Sequence, residues 1–104
     1  MYKILADKHV IRALINLKKI EVINDSYFYD EMRVIEDETY LFVGQNTLRE
    51  ICRYYVLNEF SFAELSFLCD RYFNGRQSVR LEAIFQCKAT MILKDNGFVF
   101  ERIW

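Results

Sequence analysis

Proline is absent from the 104-residue sequence, glycine and cysteine each occur three times, and histidine occurs once. The glycines are isolated at positions 44, 75 and 97, and each suits a turn. A phosphate-cradling loop needs clustered glycines so that backbone amides can approach the ligand. Nucleotide-dependent chemistry therefore has little support. The single His9 excludes any mechanism needing two imidazoles and any two-histidine metal site. A Cys–His nucleophile pair stays formally open, but His9 lies beside the polar stripe of a basic helix, where a solvated ring is the simpler reading. Cys52, Cys69 and Cys87 are 17 and 18 residues apart. An odd count without close pairs argues against a disulfide framework and against a zinc site, and all three fall within apolar patterns that predict buried, reduced thiols. No apolar stretch approaches membrane-spanning length. Before Asp7 the N-terminus offers Lys3 and then only Ile4, Leu5 and Ala6, too short a run for a signal peptide. A cytoplasmic protein is expected.

What the chain does have is apolar mass. Just over half of its residues are hydrophobic, with nine Phe, seven Tyr and one Trp among them. Aromatic side chains bury large areas, and a chain of this length can bury roughly two-thirds of its unfolded surface. One domain over residues 1–104 is expected, with no need of a disulfide or metal. The scarcity of Pro and Gly beside abundant Ile, Asn, Lys, Tyr and Phe suits an AT-rich coding sequence.

Residues 7–19 read as a helix. Lys8, Arg12, Asn16 and Lys19 make one solvated stripe opposite Val10, Ile11, Leu14, Ile15 and Leu17; Asp7 caps the start. From 19 to 44 Val, Ile, Tyr and Phe dominate, interrupted at 24–26 and 36–38. Three strands near 20–23, 27–35 and 39–43 are predicted as an antiparallel meander. Two capping boxes follow, Thr47-Leu48-Arg49-Glu50 and Ser61-Phe62-Ala63-Glu64, each a hydroxyl with Glu three residues on. They predict helices over 47–58 and 61–73. Beyond Ser78 apolar residues occupy every odd position from Val79 to Leu93, which favours a strand over 79–93, although Ile84, Cys87, Lys88 and Met91 also fit a helix. Asp95-Asn96-Gly97 then signals a hairpin into a strand over 98–103. The predicted fold is α+β: a single antiparallel sheet, built from the three-stranded meander and the C-terminal hairpin, packed by the N-terminal helix and the central helix pair.

Net charge is only −1, but it is unevenly distributed. Residues 1–20 carry a net +4. Residues 21–38 carry seven acids against Arg33, a net −6. Adjacent strand acids such as Asp30-Glu31 point to opposite faces, so they do not converge on an ion, and their spacing matches no calcium loop. No catalytic, cofactor-binding or metal-binding constellation is predicted. As a surface, however, Glu21, Asp25, Glu31, Glu36, Asp37 and Glu38 would crowd a small meander, with Tyr27 and Tyr29 beside Glu31. Self-repulsion of this kind costs stability. Charge sets encounter rate and aromatics supply contact area. The expected function is that of a non-enzymatic protein-binding protein, an immunity- or antitoxin-type inhibitor covering a basic toxin or nuclease. An inert domain whose acidic edge discourages aggregation would look similar.

A second constellation is basic. Leu57–Leu68 has the make-up of the first helix of a helix-turn-helix, and Arg71, Arg76 and Arg80 follow within the region 57–82, the pattern of a nucleic-acid-binding transcriptional regulator. Against it, the expected tight turn after Leu68 is not marked, and 61–88 is only slightly basic. A cryptic enzyme would need His9 or a cysteine in a concave pocket.

Overall fold

Tyr2–Leu5 alternates buried and half-buried side chains and forms β1, the strand on which the fold is organised. The computed structural model describes residues 1–23, 26–28, 32–73 and 80–103, those of 21–23 and 26–28 by backbone alone. β1 is followed by α1 (Lys8–Asn16), β2 (Glu21–Ile23), β3 (Ser26–Phe28), β4 (Met32–Ile35) and β5 (Glu38–Val43). Three helices come next, α2 (Gln45–Glu59), α3 (Phe62–Phe73) and α4 (Leu81–Asp95), and then β6 (Phe100–Arg102). The fold is α+β, with one four-stranded antiparallel sheet in the order β4-β5-β1-β6.

The register explains the two faces of that sheet. Tyr2 lies opposite Val43 and Ile4 opposite Leu41, and all four are buried. They meet Val10, Ala13 and Leu14 of α1, Leu48, Ile51, Cys52 and Val56 of α2, and Ile84, Phe85, Ala89, Ile92 and Leu93 of α4 in one core. Lys3, Leu5, Tyr40 and Phe42 alternate onto the opposite face, outside that core.

Local chemistry sets the helix ends. Asp7 caps α1, its carboxylate accepting the N–H groups of His9 and Val10 at 2.9 Å. The helix stops at Asn16, earlier than expected, because Lys18 turns left-handed (φ 57°). Lys19 then donates to the Leu14 carbonyl and Lys18 to that of Ile15, closing a Schellman motif. At α3 the predicted capping box is formed in full: the Ser61 N–H donates to Glu64 at 2.9 Å, and the Glu64 N–H donates to the Ser61 hydroxyl at 3.1 Å. At α2 the expectation fails. Gly44 is the N-cap residue, so Thr47 sits inside the first turn rather than before it.

The largest correction concerns 79–93, expected as a strand. Leu81–Asp95 is helical. The two breaks in the odd–even alternation, Ile84 and Ile92, are buried at its core face with Phe85, Ala89 and Leu93, a helical spacing. Asn96-Gly97 is accordingly a helix terminus and not a hairpin turn. Gly97 takes φ 84°, and Phe98 donates to the Leu93 carbonyl and Gly97 to that of Lys94. The C-terminal strand is present, antiparallel to β1.

The expected meander is also divided differently. β2 and β3 pair with each other, and β4 pairs with β5; among the described residues no pairing joins the first hairpin to the four-stranded sheet. The strand expected over 27–35 is seen only at its two ends, and 29–31 lie outside the described residues.

Candidate functional site

The acidic surface predicted from the sequence can be followed at its C-terminal end. β4 and β5 are joined by a two-residue turn, Glu36-Asp37, with Ile35 opposite Glu38. Both turn residues adopt positive φ, 50° and 66°. This is the geometry that two-residue hairpins favour, and the one that normally selects Asn-Gly or Asp-Gly. Here it is filled by Glu and Asp, with no glycine at the second position. Glu36, Asp37 and Glu38 are all exposed, and among the described residues none of the three forms an ion pair with a lysine or arginine. The Lys3 ammonium, which lies by Tyr40, pairs instead with Glu101 at 3.1 Å.

Behind this tip lies the open face of the sheet. The Tyr40 hydroxyl donates to Glu38 at 3.1 Å, and the Lys3 ammonium lies 4.8 Å from the Tyr40 ring centroid. The hydrogen bond to Glu38 pushes the Tyr40 pKa up, desolvation and the Glu38 charge add to it, and Lys3 opposes. Arg33 lies opposite Tyr40 across the hairpin, its guanidinium donating to the Met32 carbonyl at 2.8 Å. The result is a negative tip leading onto an aromatic strand. Tyr40 was not among the predicted site residues. Its place two positions after Glu38 in a strand puts both on one face, and that spacing was the available signal.

Of the other predicted site residues, Asp25, Tyr29 and Glu31 lie outside the described residues. Glu21 and Tyr27 are placed by backbone alone, in β2 and β3, where Val22 pairs with Tyr27 and Glu21 with Phe28. The structure brings Glu36, Asp37 and Glu38 together at one turn.

The four residues weighed for catalysis lie on four different helices. His9 does not stand free in solvent as expected. Its ring packs edge-on against Tyr55 at 5.2 Å and lies 6.2 Å from Phe98, with Nδ1 3.7 Å from the Glu59 carboxylate that also meets Arg12 at 3.4 Å. It therefore ties α1 to α2 and to the turn after α4. Cys52 is buried, and burial pushes its thiol up to about 12, which makes it a poor nucleophile. Cys69 is half-buried. Cys87, expected to be buried, is exposed, because α4 turns it away from the face that carries Ile84 and Ile92. It borders a cleft of only about 70 Å³ beside Gln45 and Arg49, far smaller than a substrate site. The groove between α1 and β4, lined by Ile11, Ile15, Met32, Lys8 and Arg12, includes neither His9 nor a cysteine. Among the described residues no group of three or more His, Cys, Asp or Glu could hold a metal ion, and no helix is long and apolar enough to cross a membrane.

The basic constellation is described only in part. α2 ends at Glu59 and α3 begins at Phe62, as the capping box at Ser61 predicts, so Leu57–Leu68 spans the junction of two helices. Among the described residues α3 ends at Phe73 and α4 begins at Leu81; Arg76, with the rest of 74–79, lies outside them. Comparison of the chain with protein-family models, curated proteins and solved structures finds no match.

Proposed function

We propose that this chain is a non-enzymatic protein-binding protein, an immunity- or antitoxin-type inhibitor that acts in the cytoplasm by covering a basic toxin or nuclease. The observation that carries the reading is the β4–β5 turn. Two carboxylates occupy left-handed positions where Asn-Gly would cost less, and a third, Glu38, follows directly. Left-handed backbone costs roughly 1–2 kcal/mol at Glu36 and less at Asp37, whose short side chain tolerates it, and like charges placed together add repulsion. A tip that is unfavourable on both counts, exposed and unneutralised, is suited to meeting a positive surface. Tyr40 beside it offers contact area to a partner drawn in by charge.

The test is capture from the native cell with the full chain as bait, beside a variant carrying Glu36→Lys, Asp37→Lys and Glu38→Lys. The wild type should retain a basic protein, and the variant, folded by circular dichroism, should lose it. Equal retention by both would remove the reading. A gel shift with nucleic acid, titrated with salt, provides the contrasting outcome: binding that falls steeply with salt would favour the Arg71–Arg80 region instead.

A further inference from the structure

We infer that one flank of α3 is a self-association surface, on which a second copy of this chain docks its own α3 antiparallel. The surface does not depend on the acidic tip. Its centre is Phe67, a large apolar side chain left 66% exposed on a well-formed helix, and Phe60 and Leu68 line the same groove beside it. Glu64 and Arg71 stand at either end of the groove, three residues before and four residues after Phe67. They are seven residues apart, two helical turns or about 10 Å on one side of the helix, and both are exposed.

That arrangement is complementary to itself. If two copies of α3 lie antiparallel with the two-fold axis between positions 67 and 68, Glu64 of each copy faces Arg71 of the other. The two Phe67 side chains then pack against each other across the axis, with the buried Leu68 as the floor of each groove, and both ion pairs form at once. An interface in which the same patch meets itself is the commonest way for soluble chains to form closed dimers. A parallel pairing would instead set Glu64 against Glu64 and Arg71 against Arg71. An unrelated partner would have to supply the same base–apolar–acid order at the same two-turn spacing, whereas a second copy carries it already. Asp70 lies on the groove rim as well, on the flank of α3 away from Glu64, so in this register it meets no like charge. One helix pair with its flanks buries less than the roughly 1,600 Å² of a standard interface, so the dimer should be weak and should dissociate on dilution.

Sedimentation equilibrium of the full chain over a range of concentrations tests this. The wild type should pass from monomer to dimer as concentration rises. Phe67→Glu should stay monomeric, and because Phe67 is exposed the variant should remain folded. Arg71→Glu, which sets two carboxylates face to face, should weaken the dimer at least tenfold, and Glu64→Gln, which keeps the capping hydrogen bonds, should weaken it less. Raising the salt should weaken the wild-type dimer and relieve part of the Arg71→Glu loss. A wild type that is monomeric throughout, a Phe67→Glu protein that dimerises normally, or an Arg71→Glu protein that dimerises as tightly as the wild type would each overturn the inference. Partner capture by the acidic tip is a separate readout, so the failure of one proposal leaves the other standing.

Discussion

Three non-glycine residues among those described hold left-handed backbone, and they do so for different reasons. Lys18 closes the Schellman motif of α1, a position that usually takes glycine because a Cβ crowds the adjacent carbonyl. Its side chain is exposed, and nothing in the structure needs it there. Lys18→Gly should therefore stabilise the protein by about 1 kcal/mol, measured as a rise in the urea midpoint at unchanged slope. Glu36 and Asp37 have the same backbone conformation, but they carry the proposed partner contact. Replacing them with Asn-Gly should likewise raise stability while removing two of the three carboxylates at the tip. The pair of substitutions thus separates local strain from binding.

The helices show at the scale of an element how far a local signal reaches. A capping box makes the same hydrogen bonds wherever it starts a helix, and Ser61 makes them. Thr47 has the same sequence signature and makes none, because the helix already begins two residues before it, after Gly44. Ser61→Ala should therefore cost about 1 kcal/mol, whereas Thr47→Ala, inside the helix, should be close to neutral or slightly stabilising. Thermal melts of the two variants side by side would test the assignment. Equal losses would mean that α2 is capped at Thr47 after all. α4 carries the reverse lesson. Its odd–even alternation looked like a strand, and only burial on the Ile84–Ile92 face distinguishes the helix.

At the scale of the whole molecule, Cys52, Tyr72, Tyr40 and Tyr55 all resist ionisation, the first two most strongly. Burial pushes the Cys52 thiol from 9.0 to about 12. Desolvation, with the hydrogen bond the Tyr72 hydroxyl donates to Asp95 at 2.8 Å, pushes that phenol from 10.0 to about 12. Cys52 lies at the centre of the core, and Tyr72 ties α3 to the end of α4. In both cases the folded state favours the protonated form. The unfolded chain therefore loses these protons first as pH rises, and stability falls across the window from about 9 to about 12. Below the unfolded values the contribution is complete. Urea midpoints measured from pH 8 to 11 should decline, and Cys52→Ala together with Tyr72→Phe should flatten that decline even though both lower stability at neutral pH. A slope unchanged in the double variant would mean that other groups carry the alkaline sensitivity.

Much of this could be read in the chain directly, wherever the information lies within a turn or two. Asp7 and Ser61 announced their helices, and the apolar excess announced an α+β domain with a core. The acidic block was visible as a count. Tertiary structure decided the rest, because the deciding contacts lie far apart in sequence. Four residues of β1 carry no pattern of their own and become the centre of the sheet only when β5 and β6 pair with both edges. With both those edges taken, residues 81–95 have no place beside β1 and instead cover the sheet as a helix, which also makes Asn96-Gly97 a cap. The same pairing of β4 with β5 forces Glu36 and Asp37 into left-handed backbone, so the charge is a property of the sequence and its exposure at one strained tip a property of the fold.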